Sequence, residues 1–253
     1  MRGQATRDRE LRNWLVAQNP QLSPTIGSLR QEEIFKNNKT SFSLDFLENL
    51  SRIKSATERL LNTNDGFVAH SIGVFLLRVI KGQEGASLPQ SYVNGSVFPK
   101  SGTFDPEHLD GVLYNGSMEI RNNNVILAKQ IDLLRFRKVP KQQKTNDIRI
   151  LGEQVSEVKQ VVLGQKDEFD IEKMITDIEP YFMVSGGKKP QVNLSLPVFE
   201  NAQIQSVENN VDYKICVILY GMHLESGAKA VEALAGNLGA IKKARIAQRK
   251  KVA

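Results

Sequence analysis

The chain has 253 residues, 40% of them hydrophobic and 25% charged, which is ordinary for a folded domain and long enough for one large β domain or two small ones. Its one cysteine, Cys216, excludes an internal disulfide and a cysteine-based metal cage. The net charge of +6 is uneven, because residues 241–253, IKKARIAQRKKVA, hold six cations and no acid, which leaves residues 1–240 neutral.

No apolar run approaches the ~20 residues of a membrane span, and the N-terminus lacks the apolar stretch of a signal peptide. Synthesis and residence in a cytoplasm are expected.

In chain order, residues 7–18 predict a helix. Leu11, Trp14, Leu15 and Gln18 form a narrow stripe, and Asn19-Pro20 stops it. Ser23-Pro24 makes the continuation an extended arm. Such a thin stripe has to dock on the body or on a neighbouring copy, and Leu11, Trp14 and Leu15 are the candidate inter-subunit arm residues. Thr40 to Phe46 alternates with Phe42, Leu44 and Phe46 on one face, as in a half-buried strand. Residues 47–62 switch to helical spacing at Leu47, Leu50, Ile53, Thr57, Leu60 and Leu61. After the turn Asn64-Asp65-Gly66, the run from Phe67 to Ile80 is apolar on both faces and predicts a doubly buried strand.

Residues 82–117 are rich in Gly, Pro and Asn-Gly pairs and read as surface loops. Met118–Ile120 and Val125–Phe136 flank Arg121-Asn122-Asn123-Asn124 as a hairpin. Residues 135–144, RFRKVPKQQK, are a second basic cluster and a candidate connector. Further strands are expected at 148–151, 155–163, 180–184, 191–196, 202–207 and 211–222, with a short helix at 170–179. Residues 228–247 predict an Ala-rich helix with Val231, Leu234, Leu238 and Ile241 on one face. Gly236 and Gly239 weaken it by about 1 kcal/mol each. The implied divisions are an arm over 1–30, a first β region over 31–140, a second over 141–227 and a basic helical tail over 228–253.

No catalytic motif emerges. His70 and His223 lie in strand-like apolar runs. His108 lies in Asp105-Pro106-Glu107-His108-Leu109-Asp110, which holds ligand-type residues at a spacing that matches no calcium or zinc motif. No serine sits in a nucleophile elbow, and no histidine falls in a recognisable triad order. Ser185-Gly186-Gly187-Lys188-Lys189-Pro190 runs into a strand, whereas a phosphate loop opens a helix. Cys216 sits in the apolar run 215–219 and reads as a buried, inert thiol. Aromatic residues at 7% and a single tryptophan, Trp14, argue against a carbohydrate-active enzyme. The reading calls for no catalytic residue, metal or cofactor.

The fold class that fits is all-β with a few inserted helices, a sandwich or jelly roll. The closing β pattern carries a resemblance. It consists of Ile178-Glu179-Pro180-Tyr181-Phe182-Met183-Val184, a Gly-Gly turn, Gln191 to Pro197, and Val211 to Met222 followed by His223-Leu224. It resembles the last strands of jelly-roll capsid proteins of tailless icosahedral viruses. Thr57-Glu58-Arg59-Leu60-Leu61, Asn64-Asp65-Gly66-Phe67 and the long apolar strand are similar to major capsid proteins of internal-membrane bacteriophages. The resemblance implies a non-enzymatic virion protein, made in the host cytoplasm, that self-assembles as trimeric capsomers into an icosahedral shell. It also implies contact with other virion proteins and with an internal membrane or the genome. Members are usually double jelly rolls. At 253 residues two full barrels need very short loops, so one elaborated jelly roll stands beside a compact double one. The contact residues for lipid or nucleic acid are Lys242, Lys243, Arg245, Arg249, Lys250 and Lys251. The alternative function is a nucleic-acid-binding accessory protein acting through that tail, by sequence-insensitive phosphate contacts.

Overall fold

The structure is a computed structural model that describes residues 4–36, 39–48, 56–93, 97–99, 106–123, 125–139, 174–197 and 210–236. Helix α1 (Gln4–Gln18) leads into β1 (Thr25–Ile34), β2 (Ser41–Asp45) and the long β3 (Gly66–Ile80). Helix α2 (Pro106–Tyr114), β4 (Ser117–Asn122), β5 (Val125–Asp132), β6 (Thr176–Ser185), β7 (Pro190–Ser195) and β8 (Val211–Leu224) follow. Helix α3 occupies 228–236.

The eight strands form two four-stranded antiparallel sheets, ordered β1-β8-β3-β6 and β2-β7-β4-β5. The outermost pairing joins the first strand to the last, β1 to β8. Inside it come β2 with β7, β3 with β6 and β4 with β5. The chain is thus paired along its length like one long hairpin wound over itself. Each sheet takes strands from both expected β regions, so the division at residue 140 does not separate two cores. Residues 25–30, expected in an arm, are part of β1.

Both sheets contribute alternate residues to one core. Phe42 and Leu44 of β2, Met118 and Ile120 of β4, and Val192 and Leu194 of β7 meet Tyr213, Ile215, Val217 and Leu219 of β8. On β8 the opposite face is apolar too. Cys216 and Ile218 pack with Phe75, Leu77 and Val79 of β3. Further along, Met222 and Leu224 meet α1 and α3. This double burial is why β3 and β8 read as continuous apolar runs. The strands expected at 40–46, 67–80, 180–184, 191–196 and 211–222 are all present. The hairpin is present as well, its turn holding Asn123 at φ 55°, a conformation that Asn tolerates better than most residues. Its second strand, however, ends at Asp132, and residues 133–136, expected to continue it, form a 3-10 turn.

Several expectations are corrected. Residues 56–62 are not helical. Arg59 exchanges backbone hydrogen bonds with Arg30 of β1 at 2.8 and 2.9 Å, and Leu61 N–H donates to the Phe46 carbonyl at 2.7 Å. Pairing with two strand edges overrides the helical spacing there; Leu50 and Ile53 lie outside the described residues. The stretch 106–114 is a helix rather than a loop. Pro106 occupies its first turn, and Leu109, Val112 and Leu113 are buried. Residues 176–179 belong to β6 rather than to a short helix. The strands expected at 148–151, 155–163 and 202–207, and the C-terminal half of the 228–247 helix, lie outside the described residues.

Candidate functional site

Helix α1 lies across the outer face of the first sheet. Leu11 and Leu15 are fully buried there against Val68 of β3, Met183 of β6, Met222 and Leu224 of β8, and Val231 and Leu234 of α3. Trp14 packs against this cluster, with its ring 5.8 Å from that of Tyr181. Of the three residues expected to reach a neighbouring subunit, Leu11 and Leu15 are thus covered by their own chain, and Trp14 is half-buried beside them. Gln18, the fourth member of the stripe, is exposed, and Asp8 takes the buried place at the other end.

Beneath α1 the structure assembles a polar cluster that sequence reading missed. A β-bulge produces it. Between Ala69 and Ser71 the register of β3 against both neighbours shifts, leaving His70 as the extra residue opposite β8. Core-facing residues on β3 are Phe67 and Ala69 before the bulge, and Ile72, Val74 and Leu76 after it. The parity change turns His70 and Ser71, neighbours in sequence, toward α1 together. His70 Nε2 lies 2.8 Å from Asp8 Oδ1, and Nδ1 lies 2.6 Å from Ser71 Oγ. Ser71 Oγ also accepts from Arg7 Nη1 at 3.1 Å and sits 3.2 Å from Asp177 Oδ1 of β6. Arg7 pairs directly with Asp177. Because a carboxylate accepts and does not donate, the Nε2 proton points at Asp8. Burial lowers the His70 pKa below its ordinary value, opposed by the hydrogen bond to Asp8 and its charge.

An acid, an imidazole and a hydroxyl in one chain of hydrogen bonds have the parts of a hydrolytic triad. The placement argues for a clasp instead. Ser71 is fully buried, and the acid belongs to α1, the element that covers the serine. Lifting α1 to admit a substrate would remove Asp8 from His70. What the arrangement does is hold the helix to the sheet.

A second charged cluster seals the edge of β1. Glu32, buried, accepts from Thr57 Oγ1 at 2.6 Å, Arg30 Nε at 3.0 Å and Lys214 Nζ at 3.3 Å, while its backbone N–H donates to Glu58 Oε1 at 3.2 Å. This network ties residues 56–61 over the strand edge, and its carboxylates are compensated, as buried charges must be. Cys216 lies beside it, fully buried, and burial pushes its thiol up to about 12. His223 Nε2 stands 3.3 Å from Asp65 Oδ2, and Asp65 Oδ1 accepts from the Ser226 N–H, closing the end of β8. His108 and Glu107 are exposed on α2. Asp110 instead accepts from the Val93 N–H and from Arg137 Nε. Among the described residues no three His, Cys, Asp or Glu side chains gather as a metal site. Among them, too, no helix is long and apolar enough to cross a membrane.

Among the described residues the exposed apolar side chains concentrate in one place. Five of the nine exposed large apolar side chains among the described residues, Val125, Ile126, Leu127, Leu134 and Val139, fall on β5 or just after it. β5 is an edge strand of the second sheet. Two register shifts against β4 and a positive φ at Gln130 bend it. The six tail cations, Lys242 to Lys251, lie outside the described residues.

Among known proteins, no protein-family model, no curated protein and no solved structure matches the chain.

Proposed function

We propose that the chain is a structural subunit that builds a closed shell from copies of itself, with its body formed by a single jelly roll. The wound-hairpin pairing supports the jelly-roll reading. Eight antiparallel strands pair first with last, inward to β4 with β5, and divide four and four between two sheets, as the strands of a jelly roll would. A fold by itself does not assign a function. The observation that carries the functional reading is the contrast between interior and edge. The space between the sheets is filled by Phe, Leu, Ile, Val and Tyr side chains, whereas Val125, Ile126 and Leu127 stand exposed along edge strand β5. A filled sandwich that presents apolar side chains at one edge meets its partners at the surface, and a shell needs such repeated, modest contacts. In this reading the role is non-enzymatic. The neutral body contacts other copies, and the cationic tail after α3 meets a polyanion, either nucleic acid or an acidic lipid surface.

Electron microscopy and sedimentation of the purified chain across protein concentration and salt test this. Regular assemblies are expected, and monomers under every condition would refute it. Removal of residues 241–253 separates the rival reading. Loss of DNA affinity with a log–log salt slope of about −5, from a chain that never assembles, would favour a nucleic-acid-binding accessory protein.

A further inference from the structure

We propose that the outer face of the first sheet, the side that carries α1 and α3, is the side the subunit turns toward nucleic acid, with Arg9, Arg12 and Lys229 extending the phosphate contact of the basic tail. The assignment depends on the tail's proposed role as a polyanion contact and names both the polyanion and the side of the body that meets it. The two helices share that side. Leu11 and Leu15 of α1 and Val231 and Leu234 of α3 belong to one buried cluster with Val68 of β3 and Met222 of β8. The six tail cations follow α3 in the chain, so they are tethered on this side. Helix α1 turns its apolar stripe down onto the sheet and leaves Arg9, Glu10, Arg12 and Asn13 exposed. Arg9 and Arg12, three positions apart, have their Cβ atoms ~5–6 Å from each other on one side of the helix, close enough to meet neighbouring phosphates of one strand. Lys229 is exposed on α3. Among the described residues none of these three side chains is engaged, whereas Arg7 is paired with Asp177 and Lys188 with Glu232.

The acids along the two helices leave this surface cationic once the tail is counted. Asp8 is held by His70 and Glu232 by Lys188, and only Glu10 and, just before α3, Glu225 are exposed. The face alone is nearly balanced, and the tail supplies the excess. Nucleic acid fits better than a bilayer. A guanidinium grips a phosphate through two donors at once, which favours arginine at such contacts. Adhesion to a bilayer draws on apolar and aromatic side chains as well as on charge. Helix α1 exposes one large apolar side chain, Val16, and its Trp14 packs beside Tyr181. The exposed apolar side chains concentrate on and after β5, in the other sheet. Copies can therefore meet along β5 while the helices face the bound polymer. Contacts of this kind reach phosphates only and carry no sequence preference.

Binding of the full-length chain to a mixed-sequence DNA duplex is followed by fluorescence anisotropy from about 50 to 200 mM salt, a range over which phosphate contacts separate clearly. Protein concentrations are kept where sedimentation shows single chains, so that assembly does not enter the result. Each phosphate contact adds about 0.9 to the steepness of the log–log salt slope. Arg9→Ala combined with Arg12→Ala should make the slope shallower by about 2, Lys229→Ala by about 1, and removal of residues 241–253 by about 5. The melting temperature of the arginine variant should scarcely move, since both side chains are exposed. Lys129→Ala combined with Arg135→Ala, exposed cations on the β5 side, should leave the slope as it is. An unchanged slope in the arginine variant, or an equal loss in the β5-side variant, would overturn the proposal while a tail-dependent slope upheld the tail's own role. Binding to phosphatidylserine vesicles with none to DNA would overturn it in favour of a lipid surface. A slope untouched by removal of the tail would refute the polyanion role beneath it as well.

Discussion

Gln31 offers the sharpest test of the packing. It lies on β1 opposite Val217 of β8, on the same strand face as the core residue Leu29, and it is completely buried. Among the described residues, neither its amide nitrogen nor its amide oxygen has a hydrogen-bond partner. An amide in that state forgoes the hydrogen bonds it makes to water in the unfolded chain, at about 1–3 kcal/mol. Gln31→Met replaces it with an unbranched apolar chain of similar length, leaving the strand backbone untouched. The variant should be more stable by about 1–3 kcal/mol, since the penalty disappears and the added apolar surface is buried. At about 2–4 °C per kcal/mol for a domain of this size, the melting temperature should rise by roughly 2–12 °C. Urea denaturation should show a higher midpoint with an unchanged slope, which assigns the gain to the native state rather than to the compactness of the unfolded one. Gln31→Glu should do the reverse and destabilise strongly, because an unpaired charge would enter the core. A Gln31→Met variant less stable than the parent would show that the amide is satisfied in solution, by water or by a shifted neighbour, and would refute the account of this part of the core.

Three further outcomes are expected. Gly221→Ala should destabilise by at least about 1–3 kcal/mol in thermal denaturation, because a Cβ at this point of β8 would collide with the Val68 carbonyl oxygen on β3, where neither backbone can retreat. Ile126→Lys combined with Leu127→Lys should abolish self-association in sedimentation. The melting temperature should scarcely move, since both side chains are exposed and exposed substitutions rarely exceed about 0.5 kcal/mol. Cys216 should resist thiol reagents at pH 7–9 in the folded chain and react at once in denaturant. Its raised pKa leaves almost no thiolate below about pH 10, and the sulfur has no path to solvent.

The succession of short strands with a few inserted helices pointed to a β sandwich, and the described residues form two antiparallel sheets with three α-helices. The strands were legible where period and burial agree. Phe42 and Leu44 alternate because one face of β2 is wet, and Val211 to Met222 does not alternate because β8 is covered on both sides. The misreadings occurred where a local signal met a stronger distant one. Arg59 and Leu61 follow helical spacing, yet the open edges of β1 and β2 offered their backbones partners that a helix would have forfeited. Helix α2 was hidden by the density of glycine and proline around it, although Pro106, Leu109, Val112 and Leu113 carried its period. The clasp under α1 was not legible at all. Asp8 and His70 lie 62 positions apart, and the bulge that brings His70 and Ser71 to one face sits in a run apolar on both sides, where a change of parity leaves no trace in the pattern.

From its residue order alone, the chain determines that it folds mainly as β structure, that its thiol is out of reach, and that its surplus charge is confined to the last thirteen residues. Those properties depend on composition and on neighbours a few positions away. Tertiary structure alone decided that the strands pair from the two ends of the chain inward, that Leu11, Trp14 and Leu15 close on their own sheet, and that an aspartate, a histidine and a serine meet beneath them. Those contacts depend on which distant edges and faces come together, and that is set by burial across the whole molecule.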